Sequence, residues 1–191
     1  MLSAIILAGG KSTRMGRDKA LLEFNGKTII RYLVDELGTV ADQVVISANE
    51  PERFCDLGVA VVADIHKGLG SLAGLHTGLW FVDAERAFVC ACDMPLLTSD
   101  IVRRMSGIDP AADVVVPKVD GFYEPLCAVY SKRCLSHIEA DIARGERRII
   151  SFYRHVKVRD VGPQHFPEDP GMRFLTNINT PQDLENLNIG R

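Results

Sequence analysis

The sequence predicts an α/β domain built on a mostly parallel central sheet with helices on both faces. Three observations lead there. Short apolar runs alternate with longer amphipathic stretches along the 191 residues, the pattern of βαβ units. The runs are continuous rather than alternating, as strands covered on both faces require. Glycine, lysine, arginine and aspartate directly follow several of them, at the edge where an open α/β sheet binds its ligands.

Ser3 to Ala8 (SAIILA) reads as the first strand. Thr28 to Leu37 follows as a helix, with Ile29, Leu33 and Leu37 on one face. Gln43 to Ser47 (QVVIS) and Val59 to Ala63 (VAVVA) are the next strands. Ser71 to Val82 is a helix carrying Leu72, Leu75, Leu79 and Val82. Ala87 to Cys92 (AFVCAC) is a strand, Ser99 to Met105 a helix, and Asp113 to Pro117 (DVVVP) a strand. Leu126 to Tyr130 (LCAVY) reads as an extra strand of antiparallel sense, and Lys132 to Ala143 as the helix after it. Gln164 to Gly171 holds two prolines and is a loop. Thr180 as cap and Pro181 at a first helical position start a last helix. With no repeat or linker, residues 1–191 read as one domain.

Composition narrows the function classes. Hydrophobic residues are 47% and charged residues 25%, a soluble globular balance. A net charge of −3 does not fit a protein that coats nucleic acid. No apolar run spans a bilayer, and Ala4 to Ala8 is too short for a signal-peptide core, so the chain reads as cytoplasmic with no membrane partner. The five cysteines are odd in number and lack C-x-x-C spacing. Cys90 and Cys92 are therefore expected as buried reduced thiols, not as disulfide or zinc ligands. The five histidines show no ligand spacing and read as surface or structural groups.

The segment after the first strand carries the strongest chemistry. Gly9 and Gly10 leave room for a phosphate to approach the backbone, and Lys11, Arg14, Arg17 and Lys19 follow closely. Such cations in an acidic chain point to a polyanion such as a nucleoside triphosphate. Two other motifs are set aside. Gly10-Lys11-Ser12 resembles the end of a P-loop, but Ile5 stands where that motif needs glycine. Gly68 to Ala73 fits G-x-G-x-x-A, yet Ile65, His66 and Lys67 separate it from the preceding strand and Asp64.

Leu7-Ala8-Gly9-Gly10-x-Ser12-x-Arg14-Met15-Gly16-x-Asp18-Lys19 resembles the signature loop of the nucleotidyltransferase superfamily. The Gly9-Gly10 and Asp18-Lys19 pairs are similar to those of the molybdenum cofactor guanylyltransferase family (MobA). Gly70 to Gly74, Cys92-Asp93-Met94-Pro95, Gly145 to Arg148 and Asn177 to Pro181 resemble further stretches of that family. The resemblance implies a Rossmann-like nucleotidyltransferase fold and transfer of GMP from GTP to molybdopterin, with release of pyrophosphate. It implies Mg²⁺ as cofactor, and molybdenum-insertion and molybdoenzyme-assembly proteins as partners.

Roles follow by position from that resemblance. Leu7, Ala8 and Gly9 present backbone to the nucleotide, and Gly10 shapes the turn. Arg14 and Lys19 neutralise phosphate charge; Asp64 lies in the nucleotide pocket; Asp93 holds Mg²⁺. Ser47 stands where the family has an asparagine, with Asn49 two residues on, and Ser71 replaces a proline. Asn177 and Asn179 either cap the last helix or face the pterin. Arg147 and Arg148 either bind the pterin phosphate or form a solvated face, and Glu124-Pro125 either reaches the pterin or shapes a bend. Two neighbouring readings are a cytidylyl- or sugar-1-phosphate nucleotidyltransferase and a catalytically silent assembly module. The intact Lys19 and Asp93 argue against the latter.

Overall fold

A computed structural model describes residues 1–9, 19–178, 180, 182, 183, 185 and 187, with Lys19 described in its main chain alone. β1 (Ser3–Leu7) is buried throughout its length. A two-stranded hairpin follows, β2 (Glu23–Phe24) and β3 (Lys27–Thr28), turned at Asn25 and Gly26 with φ of 52° and 79°. Paired positive φ values make a tight hairpin turn, for which Asn-Gly is suited. Helix α1 (Ile29–Gly38) starts where the Thr28 hydroxyl accepts the Arg31 N–H, and it buries Ile29, Ile30, Leu33 and Leu37.

The chain continues through β4 (Gln43–Ala48), β5 (Ala60–Ala63), α2 (Ser71–Phe81) and β6 (Arg86–Ala91). Then come α3 (Ser99–Gly107), β7 (Val114–Val119), β8 (Phe122–Tyr123), β9 (Cys127–Ser131), α4 (Leu135–Ala143) and β10 (Val158–Val161). The main sheet runs in the order β10-β7-β9-β6-β1-β4-β5, with β8 paired to β7. β1, β4, β5 and β6 are parallel, β7 and β10 are parallel, and β9 runs against both β6 and β7. The sheet is therefore mostly parallel, as expected.

Two apolar layers enclose it. Ala4, Ile6, Ile46 and Phe88 pack with residues of α1 and α3 on one face. Ile5, Val45, Val89 and Ala128 pack with α2 and α4 on the other. Adjacent strand residues point to opposite faces, so the run Ala4-Ile5-Ile6-Leu7 feeds both layers at once. Each fully buried Ile or Leu contributes about 1.5–3 kcal/mol.

Several expectations need correction. The run Val59 to Ala63 is not covered on both faces. β5 is the sheet edge, with Ala60 and Ala63 exposed, and it begins one residue later, after the turn at Gly58. Lys132 to Ala143 is not one helix: a 3-10 turn over Lys132–Cys134 precedes α4. β10 was not expected, because an edge strand with two outward polar residues carries little apolar signal. Thr180 does behave as a cap, its hydroxyl accepting the Asp183 N–H, while Pro181 lies outside the described residues. Among the described residues no helix is long and apolar enough to cross a membrane.

Candidate active site

The carboxyl ends of β1, β4, β5 and β6 form one edge, joined by main-chain hydrogen bonds beyond the ladders. Ala8 N–H donates to Ser47 O at 2.8 Å, and Cys92 N–H donates to Leu7 O at 3.2 Å. Leu7 is buried here, with Ala8 and Gly9 half-buried beside it. The Asn49 side-chain amide donates to Gly9 O at 2.7 Å and fixes the departure of the first loop. A Cβ on Gly9 would lie 3.3 Å from Asn49 Nδ2 and 3.5 Å from Asp64 Oδ2. Glycine thus lets the main chain at residue 9 sit between two polar side chains.

Ser47 is buried, and its hydroxyl donates to Asp64 Oδ1 at 2.7 Å. Its hydroxyl proton is engaged in positioning Asp64, while Asn49, which the sequence reading left without a role, holds the loop. Burial raises the Asp64 pKa, and the Ser47 hydrogen bond opposes that rise. Gly74 of α2 closes this corner: a Cβ there would meet Leu7 Cδ2 at 3.2 Å and Ser47 Oγ at 3.5 Å. The helix approaches β1 and β4 this closely because the position has no side chain.

A raised carboxylate pKa has a definite sign in stability. The protonated form is favoured by folding, so the contribution is full at low pH and is lost as pH rises through the folded-state value. Asp64→Asn is therefore expected to raise the thermal midpoint at pH 7 but not at pH 3. Thermal melts at both pH values check this. A lowered midpoint at pH 7 would contradict it.

Asp93 follows β6 and is half-buried, with its Oδ1 atom fully enclosed. Its carbonyl accepts the Ile178 N–H at 2.9 Å, which brings exposed Asn177 against the same edge. Among the described residues no group of three or more His, Cys, Asp or Glu could hold a metal. A cation here would rest on Asp93 and on ligand oxygens. That donor set fits Mg²⁺, which takes one or two carboxylates with phosphates and keeps waters, and does not fit a zinc cage.

α4 returns toward this end of the sheet after antiparallel β9, and Gly145, at φ 78°, reverses the chain there. Arg147 and Arg148 are exposed on the reversal, and Arg148 caps a 3-10 segment, Ile149–His155. That segment is tied to the sheet by the Tyr153 and Tyr130 hydroxyls, 2.7 Å apart. Gly10, Arg14 and Asn179 lie outside the described residues, as does the side chain of Lys19.

None of the five cysteines is in a disulfide; Cys90, Cys127 and Cys134 are buried, Cys92 is half-buried and Cys55 is exposed. Burial raises the Cys90 and Cys127 thiol pKa values, keeping both protonated. His76 is buried between helices, with Nε2 3.2 Å from Glu139 Oε1 and its ring 4.9 Å from that of His66.

The chain matches the MobA-like NTP transferase domain family over residues 4–158. It is 38% identical over 187 residues to the molybdenum cofactor guanylyltransferase of Desulfosudis oleivorans, covering 96% of this chain and 93% of that protein. It is also 38% identical to a probable molybdenum cofactor guanylyltransferase of Carboxydothermus hydrogenoformans, covering 97% of this chain and 94% of that one. Among solved structures, molybdopterin-guanine dinucleotide biosynthesis protein A from Archaeoglobus fulgidus superposes with a TM-score of 0.83 at 27% identity. The match covers 97% of this chain and 96% of that one.

Proposed function

The chain belongs to the MobA-like NTP transferase family, and from that premise we propose that it transfers GMP from GTP to molybdopterin with release of pyrophosphate. The observation that carries this reading is the convergence of Gly9, Asp64 and Asp93 on one sheet edge, at the root of the cationic first loop. Residues 1–191 act as one domain, in the cytoplasm.

In the proposed reaction an oxygen of the molybdopterin phosphate attacks the α-phosphorus of GTP. A new phosphoanhydride bond forms there, the bond to the β-phosphate oxygen breaks, and pyrophosphate departs. The attacking oxygen is already anionic, so no strong general base is required. The work left to the protein is positioning and charge stabilisation. Leu7, Ala8 and Gly9 present main chain to the nucleotide, and Gly10 lets the loop turn. Asp64, held by Ser47, accepts hydrogen bonds from the guanine nucleotide. Lys19 and Arg14 offset phosphate charge. Asp93 holds Mg²⁺, which when bound supplies positive charge at the triphosphate oxygens. Arg147, Arg148, Asn177 and Asn179 receive the phosphate and pterin of the acceptor.

Calorimetric titration with GTP, CTP and UTP in the presence of Mg²⁺ tests the nucleotide. GTP is expected to bind at least about tenfold more tightly than either pyrimidine, the discrimination a dedicated polar pocket gives. Guanylyl transfer should vanish in EDTA and return with Mg²⁺. CTP or UTP preference would overturn the guanylyl assignment, and turnover in EDTA would remove the metal role of Asp93.

A further inference from the structure

Glu124 has no part in the nucleotide half of the edge, yet the fold brings it there. β9 is antiparallel to β6, so its start, not its end, lies beside the carboxyl end of β6. Leu126 O accepts the Ala91 N–H at 2.9 Å, two residues before Asp93 in the chain. Glu124 itself is pinned on both sides: its N–H donates to Pro117 O at 2.9 Å, and its carbonyl accepts the Cys127 N–H at 3.1 Å. The Tyr130 hydroxyl donates to Pro125 O at 2.7 Å and also meets Tyr153, of the segment that follows Arg148.

The carboxyl group of Glu124 is half-buried, and burial alone raises its pKa; no described residue offsets that cost with a hydrogen bond or ion pair. Asp93 and Glu124 each lie near one of two neighbouring thiols. Beyond burial, Asp93 acts on Cys90 and Glu124 acts on Cys127, and those cysteines face each other across the β6–β9 ladder. Adjacent strands lie about 4.8 Å apart. Glu124 is thus one strand beyond Asp93, on the side away from Ser47 and Asp64.

We infer that Glu124 is a specificity residue of the acceptor subsite, its carboxylate accepting hydrogen bonds from the 2-amino and ring N–H groups of the pterin. This rests on the reading of the acceptor as a pterin given above. A 2-amino-4-oxopyrimidine edge offers two N–H donors side by side, which two carboxylate oxygens accept together. Such a ligand supplies the donors that the protein does not. Arg147 and Arg148, on the reversal after α4 at the same end of the sheet, leave the phosphate end of the acceptor to cations.

The test uses the full chain and two soluble probes, 6-hydroxymethylpterin and 6-hydroxymethyllumazine, in which the 2-amino group is replaced by a 2-oxo group. Fluorescence titration of the wild-type protein should show the pterin binding at least about tenfold more tightly, the discrimination expected when a half-buried charged acceptor is left without its donor. In Glu124→Gln the preference should disappear or invert, because an amide donates to the 2-oxo group. Glu124→Ala should bind both probes weakly. GTP affinity should change less than twofold in either variant, and Glu124→Gln should melt no lower than wild type at pH 7. Equal binding of the probes by the wild type overturns the inference, as does a preference that survives Glu124→Gln. A parallel loss of GTP affinity would move Glu124 to the nucleotide side and overturn it too. The GTP and CTP titrations separately judge the guanylyl reading, so either conclusion can fail alone.

Discussion

Asp93→Asn is expected to lower guanylyl transfer by about 10²–10³-fold while leaving the fold intact. The substitution keeps the shape of a side chain whose Oδ1 is enclosed by protein, and removes only its charge. That charge is the one carboxylate at the end of β6 proposed to offer a hard donor to a divalent cation. Lys19→Ala, which removes a cation proposed to neutralise phosphate, should cost about 10²-fold by the same reasoning. Pyrophosphate release at saturating GTP measures both, with circular dichroism as the control for folding. Partial recovery of Asp93→Asn at high Mg²⁺ would fit a weakened metal site. A rate within threefold of wild type would take Asp93 out of the chemistry.

The largest stability effect is expected at Gly78, one helical turn beyond Gly74 in α2. A Cβ at this position of α2 would lie 2.6 Å from Ile5 Cγ2 and 3.0 Å from Ile5 Cδ1. Ile5 is fully buried in β1, whose neighbours on both sides leave it no room to retreat. Helix propensity works the other way, because replacing an interior glycine with alanine gains about 1 kcal/mol. Overpacking costs about 1–3 kcal/mol and occasionally more, so the clash wins. Gly78→Leu, which adds a full side chain at the same contact, should cost about 3 kcal/mol or more. For a chain of this size that lowers the thermal midpoint by about 6–12 °C. Gly107→Ala, at the end of α3 with nothing within 4 Å of the added Cβ, is the matched control and should be neutral or stabilising. A midpoint for Gly78→Leu within 2 °C of wild type, roughly the effect of under 1 kcal/mol, would mean that α2 does not press on β1 as described.

Gly78 also illustrates what the sequence could express and what it could not. The interior strands and the four α-helices were legible because burial on both faces leaves continuous apolar runs, and burial on one face leaves a helical period. Hairpin turns at Asn25-Gly26 and Asp120-Gly121 carry a known dipeptide signal, but their flanking strands β2, β3 and β8 have two residues each, too few to show a period. At the candidate site, the placement of Gly9, Asp64 and Asp93 at the carboxyl ends of strands was legible because each directly follows an apolar run. The hydrogen bond from the Ser47 hydroxyl to Asp64, 17 residues away in sequence, was not legible. Asn49 reaches Gly9 across 40 residues. No local pattern encodes pairs at such separations; only the parallel register of β1, β4 and β5 creates them. The position of Glu124 depends likewise on the reversed sense of β9, which sets the start of that strand beside the end of β6.

The two ladders on β1 have a consequence for how the site opens. Amide groups of a strand bonded on both sides exchange with solvent only when a neighbouring ladder separates, whereas edge strands such as β5 and β10 open locally at much lower free energy. The first loop follows a strand paired on both sides, while Asp64 follows an edge strand. Opening at this end of the sheet is therefore expected to be one-sided. Amide exchange should reach the β5 side, next to Asp64, well before it reaches β1 and the Leu7–Gly9 segment.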